Sequence, residues 1–172
     1  MAELTEPFRV AMKAAVLSMT EHERFYPLLN GVGPFDGGCL VVGLAIQNVF
    51  GGELWALRRS ETIWSVPINP DQHVVVAFGE NWFVDALGGL SRQETIEYWA
   101  HERLTEIVPT TANYAKRSCG WMKGWGDDLT GIEAVEELSW ILQSFVSDGF
   151  FVRQNWERSE GLRAQGVFVG PI

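Results

Sequence analysis

The stretch FDGGCLVVGLAIQNVFGG, residues 35–52, places a cysteine between two glycines and a long apolar run. From Leu40 to Phe50 the run is apolar at almost every position, and Gly51 and Gly52 follow it as a helix stop. A helix that is apolar on nearly every side must be buried on nearly every side. The stretch therefore predicts a central buried helix that begins at Cys39.

The cysteine at the start of this helix has two interpretations. A thiolate is easiest to stabilise at the first turn of a helix. A buried cysteine can also act simply as a small hydrophobic residue. An imidazole elsewhere in the chain, with a group that orients it, distinguishes a reactive cysteine from a structural one.

The composition limits the class of protein. The chain has 172 residues, 47% of them hydrophobic, and a formal net charge of −9. These values predict a single globular domain over residues 1–172, with a helical N-terminal segment (1–29), a core (35–90) and a helical, tryptophan-rich C-terminal part (91–172). The negative charge argues against nucleic acids and anionic membranes as partners, because phosphate contacts require clustered Lys and Arg.

The sequence shows no recognisable targeting signal, and this predicts a cytoplasmic protein with reduced cysteines. No apolar segment reaches the length of a membrane span, and the first residues do not form a secretory signal. We therefore expect a cytoplasmic location, with Cys39 and Cys119 as reduced thiols rather than a disulfide. The sequence makes no prediction about the oligomeric state.

Turn residues and apolar periodicity predict an α+β fold in which helices flank a mostly antiparallel sheet. Helices are expected to begin at Thr5, at Ser91 and at Thr130, the last two opened by capping boxes with Glu94 and Glu133. The apolar stripe of the Ser91 helix extends to Ile107. Strand-like runs cover 53–57, 73–78 and 82–87, residues 30–38 form a loop, and the tail contributes short strands at GFFV and GVFVG.

Two polar residues lie in the hairpin predicted for 73–78 and 82–87. His73 opens the first strand, and Asp85 follows twelve residues later in its partner. An imidazole activates a thiol, and a carboxylate on the far ring nitrogen holds the imidazole in one tautomer. If Phe78 pairs with Trp82, His73 and Asp85 project from the same face of the sheet, whereas a slip of one residue separates them.

The order of Cys39 at a buried helix start, His73 on a strand and Asp85 on the next strand resembles the papain-like fold superfamily. The stretch HVVVAFGENWFVDALG is similar to the histidine hairpin of NlpC/P60-type cysteine peptidases and of papain-like effector domains. The resemblance covers residues 35–90. It implies a papain-like core with Cys39 as nucleophile, His73 as base and Asp85 as orienting group. An alignment on Asp36 would instead put Gly37 at the nucleophile position and imply an inactive relative.

Other patterns favour neither a metal nor a cofactor. His101-Glu102 lacks the second histidine of a zinc protease motif, and it is expected on an exposed helix face. Cys119 has no neighbouring cysteine at zinc-ligand spacing. GVGPFDGG lacks the lysine and the Ser or Thr of a phosphate-binding loop.

The leading hypothesis is a cysteine-dependent hydrolase or acyltransferase that acts on an amide, isopeptide or thioester bond of a protein or peptide. The alternative is a catalytically inactive papain-like fold that serves as a protein-binding or inhibitor module. Its interface would be the acidic surface together with the Trp-rich loop at 119–126, which contains Trp121 and Trp125. A small inhibitor or adaptor protein of a mobile element, with a coincidental triad, is a third possibility.

Overall fold

A computed structural model describes residues 4–59, 62–63, 66–67, 71–118 and 128–146. These residues form a mixed α/β structure with six helices and a five-stranded antiparallel sheet. The predictions for Cys119, the Trp-rich loop and the two short strands of the tail lie outside the described residues.

The helices are α1 (Glu6–Glu21), α2 (Phe25–Leu28), α3 (Cys39–Phe50), α4 (Arg92–Trp99), α5 (Ala112–Ser118) and α6 (Asp128–Ser144). The strands are β1 (Glu53–Arg59), β2 (Thr62–Ile63), β3 (Val66–Pro67), β4 (His73–Ala77), β5 (Trp82–Asp85), β6 (Gly88–Ser91) and β7 (Leu104–Pro109). The five-stranded sheet has the order β6-β5-β4-β1-β7, and β2 pairs with β3 separately.

The central helix predicted from residues 35–52 is confirmed. Helix α3 begins at Cys39 and ends at Phe50, with Gly51 as its C-cap. Nine of its twelve residues are buried, as the nearly continuous apolar run requires. Gly43 lets the helix lie close to the sheet, because a Cβ at this position would meet Cγ1 of Val74 at 3.0 Å.

The sheet is covered on both faces, so the side chains of β4 alternate between two apolar clusters. Val74 and Val76 pack into the larger cluster, which contains residues of α1, α3 and α6. Val75 and Ala77 pack into a smaller cluster on the opposite face, together with Trp99 at the end of α4. His73 belongs to the second set by alternation.

The local start signals are confirmed for two helices, and the predicted start at Thr130 is wrong by two residues. Thr5 is the N-cap of α1, and Ser91 and Glu94 form the expected capping box at α4. Helix α6 includes the predicted Thr130 start but begins two residues earlier, at Asp128.

The prediction that the Ser91 helix extends to Ile107 is wrong. The part of the chain from residue 91 onwards contains a strand as well as helices. Helix α4 ends at Trp99, and a short 3₁₀ turn follows, Ala100–Glu102. Arg103 then adopts a left-handed conformation with φ of 60°. Ile107 lies in β7, where it pairs with Leu57 of β1. Pairing with β1 satisfies the backbone hydrogen-bonding groups of this segment. The apolar spacing of the sequence alone did not reveal this pairing.

Within the described ranges, no helix combines the length and apolar character that a membrane crossing requires.

Substitution of Gly38 tests the tight approach of the loop to α3. A Cβ at Gly38 would lie 2.8 Å from the Gly33 carbonyl oxygen, which already accepts the Gly38 N–H at 3.0 Å. This contact is with backbone, so Gly38→Ala is expected to lower the free energy of unfolding by about 1–3 kcal/mol. Thermal melts measure the effect. Gly33→Ala is the control, since its Cβ first meets a movable carboxylate oxygen of Asp36. Equal melting temperatures for the two variants would contradict the prediction.

Candidate functional site

The three residues singled out in the sequence each lie at the end of an element. Cys39 is the first residue of α3, His73 the first of β4 and Asp85 the last of β5. Because His73 opens its strand, the N-terminus of α3 meets its side chain at the end of the sheet. The structure brings all three residues together.

The hairpin has the register that places His73 and Asp85 on one face. Val76 pairs with Val84, and Ala77 with Phe83. The Phe78 N–H donates to the Trp82 carbonyl at 2.8 Å, which continues the same register to the turn. Positions 73 and 85 are therefore diagonal neighbours on one face of adjacent strands, within reach of longer side chains.

A hydrogen bond joins the two side chains. His73 Nε2 lies 2.8 Å from Asp85 Oδ2. The other oxygen of the carboxylate, Oδ1, accepts the Leu87 N–H at 2.8 Å. A carboxylate only accepts hydrogen bonds, so the proton of this bond belongs to Nε2. Asp85 is itself held by backbone and in turn fixes the imidazole in one orientation.

The other ring nitrogen faces the thiol. Nδ1 of His73 is buried and has no partner in good hydrogen-bond geometry among the described residues. Cys39, a thiol in the structure, nevertheless acts on the imidazole both as a hydrogen-bonding group and as a charge. The contact is thus looser than a formed hydrogen bond, as is common for a nucleophile and its base without substrate.

These neighbours set the protonation of the imidazole. Burial is the largest single influence on the pKa of His73, and it lowers that pKa. The hydrogen bond to Asp85, the interaction with Cys39 and the charges of both groups act in the opposite direction. Together they outweigh burial and raise the pKa of His73 from 6.5 to about 9. These interactions therefore favour an imidazolium paired with the Cys39 sulfur at neutral pH.

The site is closed to solvent. Cys39 is 2% exposed, His73 1% and Asp85 5%. Two aromatic rings contact the imidazole: the Trp99 ring centroid lies 4.3 Å from that of His73, and the Phe35 centroid lies 5.6 Å away. A separate open cleft of about 400 Å³ is lined by residues of α3, β1 and the β7–α5 connection, and it contains none of the three residues.

Sequence reasoning did not assign Phe35 and Trp99 to the site. Phe35 lies four residues before Cys39, and Trp99 lies, with Ile96 and Ile107, on the apolar stripe that predicts the Ser91 helix. Nothing in their local pattern indicates a contact with an imidazole. The contacts arise because the loop before α3 and the end of α4 meet at the start of β4.

A buried carboxylate near His73 was also missed. Asp71 is fully buried two residues before His73. Its Oδ1 accepts a hydrogen bond from Arg58 Nε at 2.7 Å, and its Oδ2 accepts one from the Thr110 hydroxyl. The three side chains tie the end of β1, the residue after β7 and the approach to β4 to one another. The sequence offered only a turn, NPDQ, at this position.

His101, the other histidine considered in the sequence, is not part of a metal site within the portion of the chain that the structure describes. His101 is exposed as predicted, in the 3₁₀ turn after α4, and its Nε2 lies 3.7 Å from Glu102. Among the described residues, no group of three or more His, Cys, Asp or Glu side chains is placed to hold a metal ion.

Comparison of the chain with family models, with curated proteins and with solved structures gave no match. The interpretation of the site therefore depends on its own geometry.

The titration of His73 provides a direct test of this geometry. The imidazole is expected to lose its proton at about pH 9 rather than 6.5. The stability that depends on its protonation is then fully present below about pH 6.5 and is lost as the pH rises through about 9. NMR of the ring protons, assigned with a His73→Gln chain, measures the midpoint.

Asp85→Asn should lower the titration midpoint of His73. Burial still disfavours the imidazolium in this variant, but the carboxylate that stabilises it is gone. Glu102→Gln is the matched control, since this carboxylate lies beside His101 and not beside His73. A midpoint for His73 at or below 6.5 in the unmodified chain would show that the imidazole is a neutral core residue.

Proposed function

We propose that the chain is a cysteine-dependent hydrolase or acyltransferase with a papain-like core, in which Cys39 is the nucleophile, His73 the base and Asp85 the orienting group. One observation carries the proposal. A buried imidazole, bonded through Nε2 to Asp85, has its second nitrogen available at the helix start where Cys39 lies. The succession of a helix with an N-terminal cysteine and an antiparallel hairpin with histidine and then aspartate supports the papain-like interpretation.

The thiolate is the reactive form of the cysteine. Two features of the site favour it. The first turn of α3 supplies the positive end of a helix, and the raised pKa of His73 supplies a neighbouring imidazolium. Proton transfer from the Cys39 thiol to Nδ1 of His73 would produce this pair, with Asp85 holding the ring.

In the acylation step, Cys39 Sγ attacks the carbonyl carbon of the substrate and forms a carbon–sulfur bond. The carbonyl electron pair moves to oxygen, and N–H groups of the first turn of α3, which have no acceptor within the helix, are suited to stabilise that charge. The tetrahedral species collapses with loss of the amine or thiol, which takes a proton from His73. An acyl-enzyme remains.

In the second step His73, now neutral, removes a proton from water or from an acceptor amine as it attacks the thioester. Water yields a hydrolase, and an amine yields an acyltransferase. The bond to Cys39 breaks, and His73 keeps the proton, so that the starting ion pair is restored. The substrate class that we propose is a cytoplasmic protein or peptide, since the net charge of −9 disfavours polyanions.

A second candidate function is a papain-like fold used for binding or inhibition without catalysis. The observation that favours it is the burial of Cys39, His73 and Asp85, because a buried polar pair such as His73 and Asp85 can have a purely structural use. The tryptophan loop proposed as its interface lies outside the described residues.

Thiol alkylation at different pH values separates the two functions. In a Cys119→Ser background, the rate of iodoacetamide labelling of Cys39 should have its midpoint well below about pH 8.5, the ordinary value for a cysteine. The midpoint reports the thiolate population whatever the absolute rate. His73→Gln should move it to the ordinary value or above, and Asp85→Asn should move it less.

Turnover of peptide thioester and amide probes should be affected most by loss of the nucleophile, next by loss of the base and least by loss of the orienting group. Cys39→Ala should abolish turnover, His73→Gln should nearly do so, and Asp85→Asn should cost less because nucleophile and base remain. Thermal melts exclude unfolding as the cause, and Cys119→Ser alone should be near neutral. Full biological effect of the Cys39→Ala chain in cells would instead establish the binding function.

A further inference from the structure

The burial of the site poses a steric problem for the proposed reaction. An acyl group must reach Cys39, yet neither the thiol nor the imidazole is open to solvent in the structure. A side chain that covers them must therefore move. It should be one that contacts His73, is itself partly exposed and lies on a segment able to shift without unfolding the core.

Phe35 meets these conditions. Its ring contacts both His73 and Trp99, each at a centroid distance of 5.6 Å. It is partly buried and packs against both apolar clusters, where the two sides of the sheet meet at the site. Trp99 contacts His73 more closely but is buried at the end of α4. Of the two rings, Phe35 is the one that has solvent beside it.

The segment that carries Phe35 is a small turn closed on itself. The Gly33 carbonyl accepts the N–H groups of both Asp36 and Gly38, at 3.2 and 3.0 Å. Gly37 has φ of 121°, a conformation that only glycine adopts readily. These bonds lie within residues 33–38, so the Phe35 ring can leave His73 by rotation of its side chain without breaking them.

We propose that Phe35 determines access to Cys39: an acyl substrate enters only when this ring leaves its contacts with His73 and Trp99. The proposal rests on the proposed function, since it concerns the substrate of the same thiol. It favours an acyl group presented on an extended chain, whose own side chain or backbone takes the place of the phenyl ring. The closed form then shields the thiolate from bulky electrophiles more strongly than from small ones.

Labelling with two thiol reagents of different size tests this role. The reagents are iodoacetamide and a maleimide that bears a polyethylene glycol chain, both in the Cys119→Ser background. Phe35→Ala should raise the rate for the bulky reagent about tenfold or more relative to the small one, because two aromatic contacts no longer hold the closed form. Phe35→Leu, which keeps an apolar side chain, should lie between Phe35→Ala and the unmodified chain.

Tyr98→Ala is the matched control. Tyr98 is an exposed aromatic residue of α4, and its ring centroid lies 5.5 Å from that of Trp99. Its removal should leave the ratio of the two rates unchanged, and melts of all variants should show a folded chain. An unchanged ratio in Phe35→Ala would overturn the access role.

The two proposals fail in different ways. If labelling depends on His73 but the ratio is unaffected by Phe35→Ala, the hydrolase proposal stands and Phe35 has no part in access. If Phe35→Ala raises the ratio but His73→Gln leaves the pH profile unchanged, Phe35 covers a thiol that His73 does not activate. The proposed acyl-transfer reaction would then be rejected, and with it the proposal that Phe35 controls the access of an acyl substrate.

Discussion

The packing of α3 against β4 is the constraint on which the site depends. An almost wholly apolar helix has no solvent-facing side, so it must lie between the sheet and the other helices. Gly43 permits the close approach to Val74. Once the helix is held there, its first residue can only lie at the end of β4, beside His73. Cys39 is itself part of the larger buried cluster, at the end that lies nearest His73.

Burial of an imidazole normally favours its neutral form. In this chain two buried neighbours together reverse that preference: Asp85, held by its own bond to the Leu87 N–H, and Cys39 both stabilise the charged ring. The same low-polarity surroundings that would suppress ionisation also strengthen the attraction between the paired charges. The aromatic rings of Phe35 and Trp99 exclude water from this arrangement.

A second buried group stabilises the sheet beside the site. Asp71 binds Arg58 and Thr110, which lie on β1 and directly after β7. A buried carboxylate without such partners would be strongly destabilising, so this arrangement makes the three segments interdependent. It holds the residues immediately before His73 while the thiol and Phe35 lie on a different segment. His73 therefore lies two residues after a side chain that is bonded to β1 and to the residue after β7.

Features set by neighbouring residues could be read from the sequence. The two glycines and the apolar run determined where α3 begins and ends, and Ser91 with Glu94 determined the start of α4, because helix ends are satisfied by local groups. The hairpin itself could be predicted in the same way, but neighbouring residues left its register open. The structure pairs Phe78 with Trp82, which puts His73 and Asp85 on one face.

Other features depend on contacts between residues far apart in the chain. The segment around Ile107 became a strand because the edge of β1 was available to pair with it. Asp71 became buried because Arg58 and Thr110, 13 and 39 residues away, met it. The covering of His73 by Phe35 and Trp99 likewise required the packed fold. Local patterns determine the backbone a residue prefers, whereas burial and partners across the fold are decided only when distant segments compete for the same space.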